Sequence, residues 1–205
     1  MIRVILVDDH EIVRSAIKLT LKDAKDIEIV AEAKTGEEAV SLTKRLKPDI
    51  VLMDMNMPGT DGFSASMQLL QNTVPVKILI ISSQESDVLQ PRLLQRGISG
   101  YISKNAAPET LKEAIRAVHA GKKFFVTTTP TPTNSPFTDL SDRELQITLM
   151  IAKGMESQEI AERLFLSKKT IHGYHRDLLK KLGVKKDVDL TRLAIKYGLI
   201  DLDSV

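Results

Sequence analysis

Along the first 122 positions, short, mostly apolar runs alternate with stretches whose apolar residues recur every three or four. Residues 50–53 form an unbroken run, and 3–7, 27–31, 76–81 and 100–103 are mostly apolar stretches of the same kind, each bounded by polar or turn-forming residues. Strands of a parallel sheet covered on both faces have this character. Residues 11–21, 36–46, 63–70, 88–95 and a stretch from Pro108 to near Gly121 carry helical spacing. Ile12, Val13, Ala16, Ile17, Thr20 and Leu21 mark the first stripe, Ala39, Val40 and Leu46 the second, and Leu111, Ala114, Ile115 and Val118 the last. Five strands alternating with five helices predict an α/β domain over residues 1–122, a doubly wound five-stranded parallel sheet.

Residues 127–136 contain no apolar side chain and several prolines, so 123–136 reads as an extended, semi-stiff linker. Phe124, Phe125 and Val126 are expected to cover a domain edge. From residue 137 to 205 the pattern is wholly helical. Ser141 and Glu144 form a capping box for a helix to about Lys153 that stops at Gly154. Ser157 is expected to cap a short second helix through Phe165. Ser167 caps a third, which reaches Leu182 and ends at Gly183. A fourth runs from about Val188 to Tyr197. A short helix, a tight turn and a basic helix make a helix-turn-helix plan.

Charge sharpens the picture. The net charge is only +2, but from Lys168 to Lys186 seven basic residues accompany one acid, Asp177. That clustering predicts a polyanionic partner for the C-terminal domain. The absence of cysteine excludes disulfides and thiolate metal sites. No apolar run approaches the ~20 residues of a membrane span, and the N-terminus lacks signal-peptide anatomy. A cytoplasmic location is expected.

The predicted strands end on chemistry. Asp8 and Asp9 follow the first, Asp54 ends the third, Ser82 the fourth, and Lys104 follows the fifth. Parallel strands place all of these on one edge, where open α/β sheets bind ligands. Crowded carboxylates repel one another unless a cation intervenes. A hard divalent ion such as Mg2+ suits oxygen ligands, and a lysine can hold a phosphoryl oxygen. Such an assembly suits an aspartyl nucleophile that attacks phosphorus. A balanced loop cluster without chemistry is the bland alternative; four such sets at four strand ends argue against it.

These residues carry a family resemblance. Val7-Asp8-Asp9-His10, the stretch from Met53 through Asp54 to Gly62, and Gly100-Tyr101-Ile102-Ser103-Lys104 resemble the receiver domain of two-component response regulators. Leu140 to Glu144, Ile151 to Gly154, Glu159 to Ala161, Leu166 to Ile171 and Lys181 to Val184 resemble the LuxR-type DNA-binding domain. Together they are similar to the NarL/FixJ class, within it to the GacA/UvrY/LetA subgroup. The resemblance implies a CheY-like receiver fold and a phosphorylation-dependent, DNA-binding transcription regulator, not an enzyme. It implies that a sensor histidine kinase phosphorylates Asp54. Asp8, Asp9, Asp54 and the backbone carbonyl of Asn56 would bind Mg2+, Lys104 would contact the phosphoryl group, and Ser82 and Tyr101 would form the switch pair. The family often has a cis proline after the lysine; here Asn105 stands there, and the isomer of that bond is open.

On the basic helix, Ile171, Tyr174, Leu178 and Leu182 form the expected buried stripe. Lys168, Lys169, His172, Gly173, Arg176, Lys180 and Lys181 are the candidates for promoter DNA, which a homodimer would bind. Gly173 is out of place, since glycine costs ~1 kcal/mol within a helix. It would allow close approach. Two rivals are an aspartyl phosphatase of the haloacid-dehalogenase kind and a regulator independent of phosphorylation. The first wants an acid two residues after the nucleophile, where this chain has Asn56.

Overall fold

The structure, a computed structural model, describes residues 1–55, 57, 62–71, 75–83, 88–125 and 135–200. The chain folds into two compact units, one holding Met1–Ser83 and Gln90–Thr128, the other Gln84–Leu89 and Thr129–Val205. Most of the stretch expected to be a linker, 126–134, lies outside the described residues.

The first unit alternates strand and helix: β1 Ile2–Val7, α1 Glu11–Leu21, β2 Ile27–Ala33, α2 Gly36–Leu46, β3 Ile50–Asp54, α3 Gly62–Gln71, β4 Lys77–Ser82, α4 Leu89–Gln95, β5 Gly100–Ser103, α5 Pro108–His119 and β6 Phe124–Phe125. All strands pair in parallel, in the order β2-β1-β3-β4-β5-β6. The sheet therefore has six strands rather than the expected five. β6 is an edge strand of two residues, too short to show an alternation in sequence. It pairs Phe124 with Gly100 and Phe125 with Tyr101. Gly100 makes that pairing possible, because a Cβ there would lie 2.7 Å from the Phe124 carbonyl oxygen.

β3 is buried at every position, as its unbroken apolar run predicts. Alternate residues divide between the faces of the sheet. Val4, Leu6, Leu52, Leu79 and Ile81 form one core with Ile17 and Leu21 of α1 and with Leu111, Ala114, Ile115 and Val118 of α5. The α5 stripe is the expected one. The α1 stripe is the expected one only in part: Ile17 and Leu21 are buried and Val13 packs against the core, but Arg14 is buried with them, while Ile12 is 85% exposed and Ala16 also faces outward. A cluster of apolar residues on a helix wider than its contact leaves some of them outside, and here a buried arginine occupies the inner face.

The second unit consists of α6 Asp142–Ala152, α7 Ser157–Leu164, α8 Lys168–Lys181 and α9 Asp187–Lys196. α6 is buried from Leu145 to Ala152 except at Gln146, and it packs against α7, α8 and α9. Its capping box is formed: the Glu144 N–H donates to Ser141 Oγ at 3.2 Å, and the Ser141 N–H donates to Glu144 Oε2 at 2.7 Å. Ser157 does not cap α7; it is the first helical residue, and Glu156 holds the cap position without a side-chain bond. Ser167 does cap α8, accepting from the Thr170 N–H at 3.1 Å. Phe137, fully buried, meets the Tyr197 ring edge-on at 5.7 Å and so ties the segment before α6 to the end of α9.

Candidate functional site

The parallel registers bring the carboxyl ends of four strands together. Val7 lies opposite Met53, Asp54 opposite Ile81, and Ser82 opposite Ser103. Asp8, Asp9, Asp54, Ser82 and Lys104 therefore share one sheet edge, as their positions in sequence predict. The polar N-terminal part of the β1–α1 turn folds over it: the His10 N–H donates to Asp8 Oδ1 at 2.8 Å, and His10 Nδ1 lies 3.0 Å from Asp9 Oδ1. One ligand atom from each of Asp8, Asp9, His10 and Asp54 falls within 4.8 Å of all the others.

Asp8 and Asp54 are fully buried, whereas the Asp9 side chain keeps 24% of its surface. Lys104 spans the buried pair, its Nζ 2.8 Å from Asp8 Oδ2 and 2.9 Å from Asp54 Oδ2. Burial alone would lower the pKa of this ammonium. The Asp54 and Asp8 carboxylates outweigh burial and hold it above the usual lysine value. The backbone fixes it too: the Lys104 N–H donates to the Ser82 carbonyl at 2.7 Å. The Lys104–Asn105 bond is trans, and no cis peptide bond occurs among the described residues. Ser82 and Tyr101 are both buried, at 3% and 1% exposure. Ile80 pairs with Tyr101 and Ser82 with Ser103, so Ser82 and Tyr101 lie on one face of adjacent strands.

Asp8, Asp9 and Asp54 cluster at this edge, and Lys104 pairs with Asp8 and Asp54, so carboxylates outnumber the ammonium that faces them among the described residues. The donors are oxygens with one imidazole, and Asp9 keeps the cluster open to solvent. This set fits a hard divalent cation. The Asn56 carbonyl, expected as a further ligand, lies outside the described residues. Gly62 packs against the backbone of Asp54 and Met55. A Cβ there would lie 1.8 Å from the Asp54 carbonyl oxygen, and the Gly62 N–H donates to the Met55 carbonyl at 3.2 Å. Only glycine lets α3 start so near the carboxylate strand.

Sequence reasoning missed Arg14. Its guanidinium, nearly buried, donates to the Asp8 carbonyl at 2.7 Å and to Glu32 Oε2 at 3.0 Å. Lys18 binds the other Glu32 oxygen at 2.7 Å, and with Arg14 it holds the Glu32 carboxyl below its usual pKa. Arg14 thus fixes the backbone that carries Asp8. The available signal was its spacing with Ile17 and Leu21, which puts a charge on the inner face of α1.

In the second unit, α8 buries Ile171 and Leu178, its C-cap residue Leu182 is buried too, and Tyr174 is only half-buried. Lys168, Lys169, His172, Arg176, Lys180 and Lys181 are exposed to solvent to differing degrees, and Gly173 is partly so. A Cβ at Gly173 would meet nothing within 4 Å, so the fold itself does not demand glycine there. Arg176 pairs with Asp177 at 3.1 Å, but both side chains are mostly in solvent, where such pairs contribute little. Lys181 is engaged elsewhere: it binds Glu144 Oε2 at 3.1 Å and so ties α8 to the capping box of α6. His175 Nε2 lies 2.5 Å from Asp187 Oδ1 and joins α8 to the start of α9.

Comparisons with known proteins match both units. Residues 4–116 match the response regulator receiver domain family, and residues 138–194 match the luxR family of bacterial regulatory proteins. Response regulator UvrY of Escherichia coli K12 is 42% identical over all of this chain and 99% of that protein. Response regulator GacA of Pseudomonas aeruginosa PAO1 is 38% identical over the full length of both. Among solved structures, that of two RcsB dimers bound to two parallel DNAs superposes with a TM-score of 0.79 at 26% identity, covering 94% of this chain and 98% of that one.

Proposed function

The chain belongs to the response regulators that join a receiver domain to a luxR-type regulatory domain, and on that premise we propose that phosphorylation of Asp54 controls its binding to promoter DNA. The observation that carries the first half is the Lys104 ammonium held between the buried Asp8 and Asp54 carboxylates. The DNA complex of RcsB and the exposed basic face of α8 support the second half.

Asp54 is the nucleophile. Its carboxylate oxygen forms a bond to phosphorus while the N–P bond of a phosphohistidine breaks, and the imidazole of a sensor histidine kinase leaves with the electron pair. Asp8, Asp9, Asp54 and the Asn56 carbonyl would hold Mg2+ at this edge. The bound ion would offset the charge of the phosphoryl oxygens. Lys104 keeps its charge in the presence of the carboxylates and turns to a phosphoryl oxygen once Asp54 carries the acyl phosphate. Ser82 donates a hydrogen bond to another oxygen, and Tyr101, beside it on the same face, answers the change. Arg14 keeps the Asp8 backbone in place throughout.

Lys169, His172 and Arg176 reach base edges or phosphates in the major groove, with Lys168, Lys180 and Lys181 on the backbone. For Lys181 that requires leaving Glu144. Gly173 leaves room for the duplex. The protein acts in the cytoplasm as a homodimer on DNA, with residues 1–122 as receiver, 123–136 as linker and 137–205 as DNA-binding domain. It is a regulator, not an enzyme: Asn56 stands two residues after the nucleophile, where turnover would need an acid. Among the described residues no helix is long and apolar enough to cross a membrane.

The test is covalent labelling. Incubation with Mg2+ and a small acyl phosphate should add one acid-stable, base-labile phosphoryl group, and Asp54→Asn should take none. Label that survives this substitution overturns the assignment of the nucleophile.

A further inference from the structure

Among the described residues, the large apolar side chains that stay exposed beyond the first residue lie on helix faces, with one exception. Phe165 occupies the turn between α7 and α8, is 96% exposed, and has φ +53°. A bulky residue seldom takes the left-handed conformation, which favours glycine and asparagine. The turn therefore holds an unfavourable backbone and an uncovered ring at the same position. Outliers of this kind persist where their surroundings hold them, and they gather at binding sites.

The surroundings do hold this one. The Arg143 guanidinium donates to the Leu164 carbonyl at 3.0 Å. The Phe165 N–H donates to the Glu162 carbonyl at 3.3 Å and the Leu166 N–H to the Ala161 carbonyl at 2.9 Å. Ser167 caps α8 immediately afterwards. The ring is thus presented from a fixed turn, two residues before the cap, with the exposed Lys168 and Lys169 next in the chain. An exposed aromatic ring followed in the chain by two exposed lysines matches the composition of DNA, whose phosphates meet the lysines. Its deoxyriboses and thymine methyls are the apolar surface for the ring.

We propose that Phe165 is a DNA-contact residue, its ring packing on a deoxyribose or a thymine methyl at the edge of the groove that receives α8. The inference rests on the DNA-binding reading above and adds to it an uncharged contact outside the recognition helix.

The test uses the full-length protein and a short fluorescent duplex that the protein itself selects from a random-sequence pool. Phe165→Asn relieves the backbone, so its Tm should equal or exceed that of the parent. Its affinity should fall about tenfold through loss of buried apolar surface. The slope of log K against log salt should stay at the parent value, because no phosphate contact is removed. Uracil in place of thymine separates the two sources: a methyl contact weakens the parent but not Phe165→Asn, and a sugar contact leaves both unchanged. The chain has no tryptophan, so Phe165→Trp adds a single indole whose emission should change as duplex is added. Parent-like affinity of Phe165→Asn, or indole emission unchanged at saturating duplex, overturns the contact. A parent protein that binds no duplex at low salt overturns instead the DNA-binding reading on which the contact depends.

Discussion

At the residue scale, the acidic edge depends on Lys104 and Gly62. Lys104 is the ammonium that faces the buried Asp8 and Asp54. Removing one member of a buried ion pair typically costs ~3–5 kcal/mol, because the remaining charges lose their counter-ion. Lys104→Ala should therefore lower Tm, and Mg2+ should restore part of the loss, since a cation in the same cluster takes over the neutralisation. A Tm that does not respond to Mg2+ would remove the metal from the edge. The same variant should still accept some label at Asp54 and yet fail to increase DNA binding. Gly62 is a steric requirement. A Cβ 1.8 Å from the Asp54 carbonyl oxygen must displace either α3 or β3, so Gly62→Ala should cost at least ~1–3 kcal/mol in urea unfolding. Parent-like stability would show that α3 does not start so close to Asp54.

At the scale of elements, the capping box of α6 makes a prediction with a defined sign. Hydrogen bonds from Ser141, first its backbone N–H, and then the Lys181 ammonium hold the Glu144 carboxyl below its usual pKa. The folded value is depressed relative to the unfolded one. The contribution is therefore present above the unfolded pKa of ~4.3 and is lost as pH falls through the folded pKa. Urea unfolding of the parent and of Glu144→Gln should differ at neutral pH and converge as the solution is acidified below the ordinary carboxylate range. A difference that persists at low pH would mean that packing, not charge, distinguishes the two. Ser141→Ala removes the reciprocal half of the box and should cost ~1 kcal/mol. At the other end of the chain, β6 shows how little sequence an element requires. Two phenylalanines pair with β5 because Gly100 admits the Phe124 carbonyl.

At the scale of the molecule, the two compact units suggest that control and DNA binding separate along the chain. A fragment beginning at Ser135 should bind duplex without any phosphodonor. Its affinity should be low and steeply salt-dependent, because one small domain makes few phosphate contacts. The full-length protein should bind an inverted repeat more tightly after incubation with Mg2+ and acyl phosphate, since dimers join two weak contacts through effective concentration. Arg176→Ala should weaken both, by ~1–3 kcal/mol if it reads a base. A fragment that binds no duplex at low salt would refute the reading of the second unit. A full-length protein indifferent to the phosphodonor would refute the control of one unit by the other.

The periodicity of apolar residues by itself determined the alternating elements from β1 to α5, the four helices of the second unit, and the strand ends that carry Asp54 and Ser82 and precede Lys104. These are local properties. An unbroken run such as β3 must be covered on both faces, and a charge must wait for the end of it. The capping serines 141 and 167 were legible for the same reason, because a cap is a bond between near neighbours. Only the tertiary structure decided which flank of α1 turns inward, and so found Arg14 behind Asp8. Only it decided that β6 joins the sheet, that the Lys104–Asn105 bond is trans, and that Lys181 meets Glu144 across 37 residues of chain. Each of these depends on partners distant in sequence. A helix pattern shows that a face is apolar, but what that face will meet is decided when the layers pack.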